Sequence, residues 1–188
     1  RPAEQASQIM KDLVELLAAM ASKRNEVANP LELFLDVADR VVKAVCSQFG
    51  NKTDEVAILM TTSDRKHLRF AAPRKFTELG TIPVTKRDSI AVTIFNRGTG
   101  EAMNNVPMVK HVAFFESVKI RDRVLPIQKM VTVPIVHESQ VVGVAQISPK
   151  AETPAEAGPD FTPADVDRAS ALFNAVAPYL VQVRPDRF

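Results

Sequence analysis

Few side chains in this 188-residue chain have the chemistry of a catalyst. It carries one cysteine, Cys46, and three histidines, His67, His111 and His137. Cys46 follows Val42 by four residues in an apolar helical run, which suits a small buried hydrophobe better than a nucleophile. A lone thiol cannot close an intramolecular disulfide, and this fits a reducing compartment, of which the cytoplasm is the simplest. The histidines are far apart and share no short ligand motif, so no metal or haem site is expected. Gly-x-Ser-x-Gly, His-Glu-x-x-His and paired cysteines are all missing, which leaves hydrolase and metalloenzyme chemistry without a foothold. We therefore expect no enzymatic activity. His111 stands apart because it shares the spacing i, i+3, i+4, i+7 with Phe114, Phe115 and Val118. It is either a core histidine with a satisfied hydrogen bond, the favoured reading, or a polar group directed into a pocket.

Charge narrows the partners. Lys and Arg number 24 against 22 Asp and Glu, a net charge of +2, so neither nucleic acid nor an anionic membrane is expected as main partner. The basic runs Asp64 to Lys75 and Lys119 to Lys129 read as solvated loop and strand faces. Arg97-Gly98-Thr99-Gly100 lacks a third glycine and a preceding strand, so it reads as a helix stop rather than a phosphate cradle. Asn51-Lys-Thr-Asp-Glu55 reads as a polar turn.

The elements that must position these residues follow from periodicity. Ile9, Leu13, Leu16 and Met20 repeat at four, three and four residues, an amphipathic helix of about two heptads. Asn29 and Pro30 suit the N-cap and first position of a second helix running to Phe49, with Glu32 placed for a capping box and Gly50 as the stop. Val56 to Thr62 and His67 to Pro73 form a hairpin. Asp88 or Ser89 caps a short helix from Ile90 that ends at Gly98. Short extended pieces and the helix around His111 come next. The strongest strand signals, Lys129 to Val136 and Gln140 to Ser148, form a central hairpin in which Pro134 marks an edge or a bulge. Thr162-Pro163 opens the last helix, whose seam Val166, Ala169, Phe173, Val176, Leu180, Val183 is interrupted by Pro178; a kink or break near Ala177 is expected. No apolar run approaches the length of a spanning helix, and a chain opening on Arg1 suggests an excised piece.

In this order the elements resemble a GAF domain. The resemblance rests on "VTVPIVHESQVVGVAQISPK", an apolar strand with an internal proline, a turn and then an Ile/Val-Gly-Val strand leading to a basic residue. It rests also on "FTPAD" opening the last helix, and on "DSIAVTIFNRGTGEAMNN" in mid-domain. It covers about residues 30 to 180. It implies an α+β fold, an antiparallel sheet of PAS/GAF type with helices packed on one face and a variable segment over a small-molecule pocket on the other. A PAS-like domain shares that plan but would not have a long capped helix directly before the first hairpin. The division expected is an N-terminal amphipathic helix over 1–28, a GAF-like domain over 29–183 and a tail over 184–188.

The resemblance implies a sensor or regulatory role for a small ligand of unknown identity, with any cofactor unknown. It implies a homodimer paired through the terminal helices and an effector domain or protein downstream. The implied pocket residues are Phe70, Ile90, Thr93, Met103, His111, Phe114, Phe115 and Met130. The rival reading is a docking or dimerisation module whose pocket is filled by its own Met103, Phe114, Phe115 and Met130. In cyclic-nucleotide phosphodiesterases an Asn-Lys-Phe-Asp-Glu signature is dispersed over the last hairpin and helix. Lys150, Phe161 and Asp165 match it, but Pro149 and Val166 stand in place of Asn and Glu, which argues against cyclic-nucleotide binding. Asp165 is expected to stabilise the helix start and Phe161 to plug the core. The loop cysteine of bilin-binding relatives and the redox cysteines of the free methionine sulfoxide reductases of this fold have no counterpart.

Overall fold

The computed structural model describes residues 1–108 and 125–188. Among these residues four α-helices and six strands run in the order α1 (Pro2–Ala21), α2 (Pro30–Phe49), β1 (Val56–Thr61), β2 (His67–Ala72), β3 (Thr81–Pro83), α3 (Ile90–Arg97), β4 (Glu101–Met103), β5 (Met130–His137), β6 (Gln140–Ile147) and α4 (Pro163–Val183). The strands make one antiparallel sheet of order β3-β2-β1-β6-β5-β4. This is the expected α+β plan. The helix expected around His111 lies outside the described residues.

Local signals set most element ends. The Asn29 side chain accepts the Glu32 N–H at the start of α2, and Gly50 ends that helix at φ 71°. Ser89 caps α3 by accepting the Val92 N–H, and Gly98 stops it at φ 74°. Thr162 and Asp165 form a reciprocal capping box on α4, the Thr162 N–H donating to Asp165 Oδ2 at 2.8 Å. Glu32 does not reach back as the capping pattern suggests. Its carboxylate accepts instead from Arg74 Nη1 at 2.7 Å, and Asp36 takes Nη2 at 2.6 Å. Glu138 and Ser139, both at positive φ, turn the β5–β6 hairpin in the primed geometry that matches strand twist.

Alternation along the strands divides the core in two. On the first face, Val56, Ile58, Met60, Val131, Val133, Ala145 and Ile147 meet α1, α2 and α4. On the second face, Ala57, Leu59, Leu68, Phe70, Met130 and Val144 meet α3. Leu13, Leu17 and Ala21 tie α1 into the first core, while residues 2–9 of that helix are exposed.

One sequence expectation needs correction. Helix α4 continues through Pro178 to Val183 without a break. Losing one backbone bond inside a helix costs about 3 kcal/mol, but Val176, Ala177, Leu180 and Val183 on both sides of the proline are fully buried, and their packing outweighs it. Residues 184–188 pack back on the domain. Phe188 packs edge-on against Phe34 at 4.9 Å beneath the Arg69 guanidinium, and Arg24 Nη2 pairs with Asp186 at 2.8 Å. Pro134 sits as expected, beyond the end of β4 on the outer side of β5. Two residues on, the Val136 N–H on that same edge is taken by the Asn174 side chain of α4, so the open edge is blunted.

Candidate functional site

The second face of the sheet gathers half of the residues singled out from the sequence. Phe70, Ile90 and Met130 are buried in its apolar cluster, with Met103 packed against them. Met103 and Met130 are cross-strand partners, and the Phe70 ring lies edge-on to Phe76 at 5.3 Å. Thr93 is not among them: it is exposed on α3, its hydroxyl donating to the Ser89 carbonyl oxygen at 2.9 Å. His111, Phe114 and Phe115 lie outside the described residues.

The same face carries two polar residues that periodicity alone does not pick out. Thr132 on β5 and Gln146 on β6 are register partners, with Glu101 on β4 and Ala57 on β1 completing a row across four strands. Thr132 is 1% exposed and Gln146 2%. Gln146 Nε2 donates to Met130 Sδ at 3.8 Å, a weak acceptor. An apolar wall with a few convergent polar groups is the usual build of a small-molecule site. The signal available in the sequence is the polar residue at an inward position of each of two strands buried on both faces.

A separate cavity of about 440 Å³ opens on the helical side, between the end of α2, the start of α4 and the loop after β6. Phe49, Asn51, Glu55, Lys150, Asp165 and Arg168 line it. Glu55 is only 9% exposed, and its two carboxylate oxygens accept one backbone N–H each, from Lys52 at 2.9 Å and Lys150 at 2.6 Å. No cationic side chain among the described residues lies within ion-pair distance of it. Lys150 Nζ donates to the Asp54 carbonyl oxygen at 2.8 Å, and burial holds that ammonium's pKa below its ordinary value. Arg168 lies flat over the Phe49 ring at 4.2 Å. Asn51 Oδ1 is wholly inaccessible and accepts no hydrogen bond. Asp165 is engaged in its capping box and Phe161 packs against the main core, its backbone N–H and carbonyl both held by the Asn104 side chain. The matches to the phosphodiesterase signature therefore have structural roles here.

Cys46 is half-buried on α2, and its thiol pKa is raised, first by burial and then by the Glu55 and Asp54 carboxylates. A thiol held protonated is a poor nucleophile. Among the described residues no cluster of His, Cys, Asp or Glu can hold a metal ion, and no helix is long and apolar enough to cross a membrane.

No protein-family model matches the sequence, and no curated protein matches it either. Solved structures do share the fold. The chain is similar to the GAF domain of a phosphoenolpyruvate-protein phosphotransferase from Acinetobacter (TM-score 0.61, 12% identity, covering 89% of this chain and 91% of that one). It is similar to the Nlh2 GAF domain of A. aeolicus in an inactive state (0.59, 14%, 95% and 99%). It is similar also to the free methionine-R-sulfoxide reductase of Neisseria meningitidis in complex with its substrate (0.61, 12%, 98% and 93%). The chain therefore has the GAF-type fold.

Proposed function

We propose that this protein is a non-catalytic sensor or regulatory domain of the GAF type, acting in the cytoplasm. A small molecule held against the second face of the sheet shifts how α1 and α4 pair with a second copy of the chain, and the helices pass that shift to an effector. The observation that carries the reading is the Thr132–Gln146 pair, two nearly inaccessible polar side chains side by side in an apolar wall. Desolvating such groups costs about 1–3 kcal/mol each unless hydrogen bonds replace the lost water, and a bound ligand's hydrogen bonds would offset that cost. The surface of α1 supports the dimer: Ile9 and Leu16, one heptad apart, remain 41% and 40% exposed while Leu13 and Leu17 face the core. Signalling requires that the ligand bind one dimer arrangement better than the other.

Two solved proteins of this fold are reductases, so the fold alone does not settle catalysis. The protonated, half-buried Cys46 on α2 supports the non-catalytic reading for this chain. The rival docking module is favoured by the tight packing of Leu59, Ile94 and Met130 on the same face. A thermal-shift screen of small metabolites separates the two. The sensor reading expects a compound that raises the melting temperature of the wild type and not of Gln146→Leu. A screen in which every hit acts equally on both proteins refutes it.

A further inference from the structure

We infer that Asn104 and Lys129 are positioning residues that carry a change at the second face of the sheet to the start of α4. Their purpose rests on the sensor reading; their geometry does not. Each is the chain neighbour of one of the two methionines that meet across β4 and β5: Asn104 follows Met103, and Lys129 precedes Met130. The methionines sit in the second-face cluster, whereas their neighbours grip the loop that leads into α4. The Asn104 carboxamide holds both backbone groups of Phe161, donating from Nδ2 to its carbonyl oxygen at 2.9 Å and accepting its N–H on Oδ1 at 2.7 Å. Phe161 directly precedes Thr162, the N-cap of α4. Lys129, only 3% exposed, donates from Nζ to the Gly158 carbonyl oxygen and pairs with Asp160 Oδ1 at 2.9 Å.

These contacts oblige the loop to follow the strands. A buried charge must be paired and hydrogen-bonded, and the Asp160 side chain is itself 73% exposed, so the Lys129 ammonium is what fixes residues 158–160. Gln128 ties down the other end of the loop. Its N–H donates to the Pro149 carbonyl oxygen, its Nε2 donates to the Ala151 carbonyl oxygen at 2.8 Å, and its own carbonyl oxygen accepts the Val106 N–H. The loop between β6 and α4 is therefore bound at both ends to residues that flank β4 and β5. Gln146, whose Nε2 meets Met130 Sδ, is the point where a change on the second face enters this chain of contacts. The competing route is the packing of Val131 and Val133 beneath α4, which needs no loop.

The test is amide hydrogen exchange of the full chain, read at residues 166–170 of α4, with Gln146→Leu as the perturbation on the second face. The ratio of exchange rates with and without Gln146→Leu is measured in the wild type, in Asn104→Ala, in Lys129→Met and in Thr162→Ala. In the wild type the rates should differ by about twofold or more, the lower end of couplings between packed sites. The difference should vanish in Asn104→Ala and shrink in Lys129→Met, which removes the ammonium and keeps an apolar stem. It should persist in Thr162→Ala, which loosens the same helix end by removing its cap but leaves both grips in place. The assigned roles fall if Gln146→Leu leaves the wild-type rates unchanged. They fall equally if its effect survives undiminished in Asn104→Ala or Lys129→Met, because core packing then carries the change, or if Thr162→Ala also abolishes it, because fraying alone then explains the loss. A chain that binds no small molecule can still pass this test, so its failure and that of the sensor reading are distinguishable.

Discussion

Replacing Thr132 by Val and Gln146 by Leu tests whether the polar pair is kept for a ligand or for the fold. Thr132→Val keeps the side-chain shape and removes a hydroxyl from a side chain that is 1% exposed. Gln146→Leu removes a carboxamide whose partner there is a thioether at 3.8 Å. Each buried polar group without a good partner costs about 1 kcal/mol or more, so each substitution should stabilise the protein by about that amount. The side chains are register neighbours, and their effects will not add strictly. A gain of about 2 kcal/mol for the double variant corresponds to a melting temperature about 4–8 °C higher in a domain of this size. Thermal unfolding followed by circular dichroism measures it directly. A double variant less stable than the wild type by 1 kcal/mol or more would refute the reasoning, because the pair would then be satisfied within the fold and not reserved for a ligand.

Gly143 is required by close approach. A Cβ there would fall inside contact distance of the Leu59 carbonyl oxygen and 2.8 Å from Met60 Sδ, so Gly143→Ala should cost about 2–3 kcal/mol by overpacking, read as a lower denaturant midpoint. Ile9→Lys with Leu16→Lys should leave the fold intact and abolish self-association, measured as halved mass in light scattering. This variant is cleaner than deleting residues 1–23, which would also remove Leu13, Leu17 and Ala21 from the core. Asp64 is held below the ordinary carboxylate pKa chiefly by the Thr62 hydroxyl, then by the Lys66 N–H. A carboxyl depressed on folding stabilises above its unfolded pKa and loses that contribution as pH falls through its folded pKa. Asp64→Asn should therefore flatten the acid limb of stability and leave the slope above neutral pH unchanged, as read from unfolding across a pH series.

Sequence was most informative where the cause is local. Asn29, Ser89 and Thr162 cap helices because each reaches an N–H three residues on, and Gly50 and Gly98 end helices by adopting a positive φ. It was least informative where the cause is a distant partner. Glu32 abandons its capping box for Arg74, forty-two residues away. Pro178 is tolerated because of what α4 packs against, and Phe188 is drawn into the core by Phe34 and Arg69. The candidate site divides along the same line. Phe70, Ile90, Met103 and Met130 follow from apolar alternation, whereas Thr132 and Gln146 become neighbours only once the β5–β6 register is known. Asn51 to Glu55 looks like a plain polar turn because the Lys150 N–H that fixes Glu55 lies ninety-five residues on.

The proposed function stands or falls on a small molecule occupying the second face of the sheet. Native mass spectrometry of the freshly purified wild type and of Gln146→Leu, each compared with its own denatured mass, tests it most directly. A mass excess of a few hundred daltons or less is expected on the native wild type, removed by denaturation and missing from Gln146→Leu. Bare polypeptide mass in both native spectra, together with no compound that stabilises the wild type selectively, would contradict it.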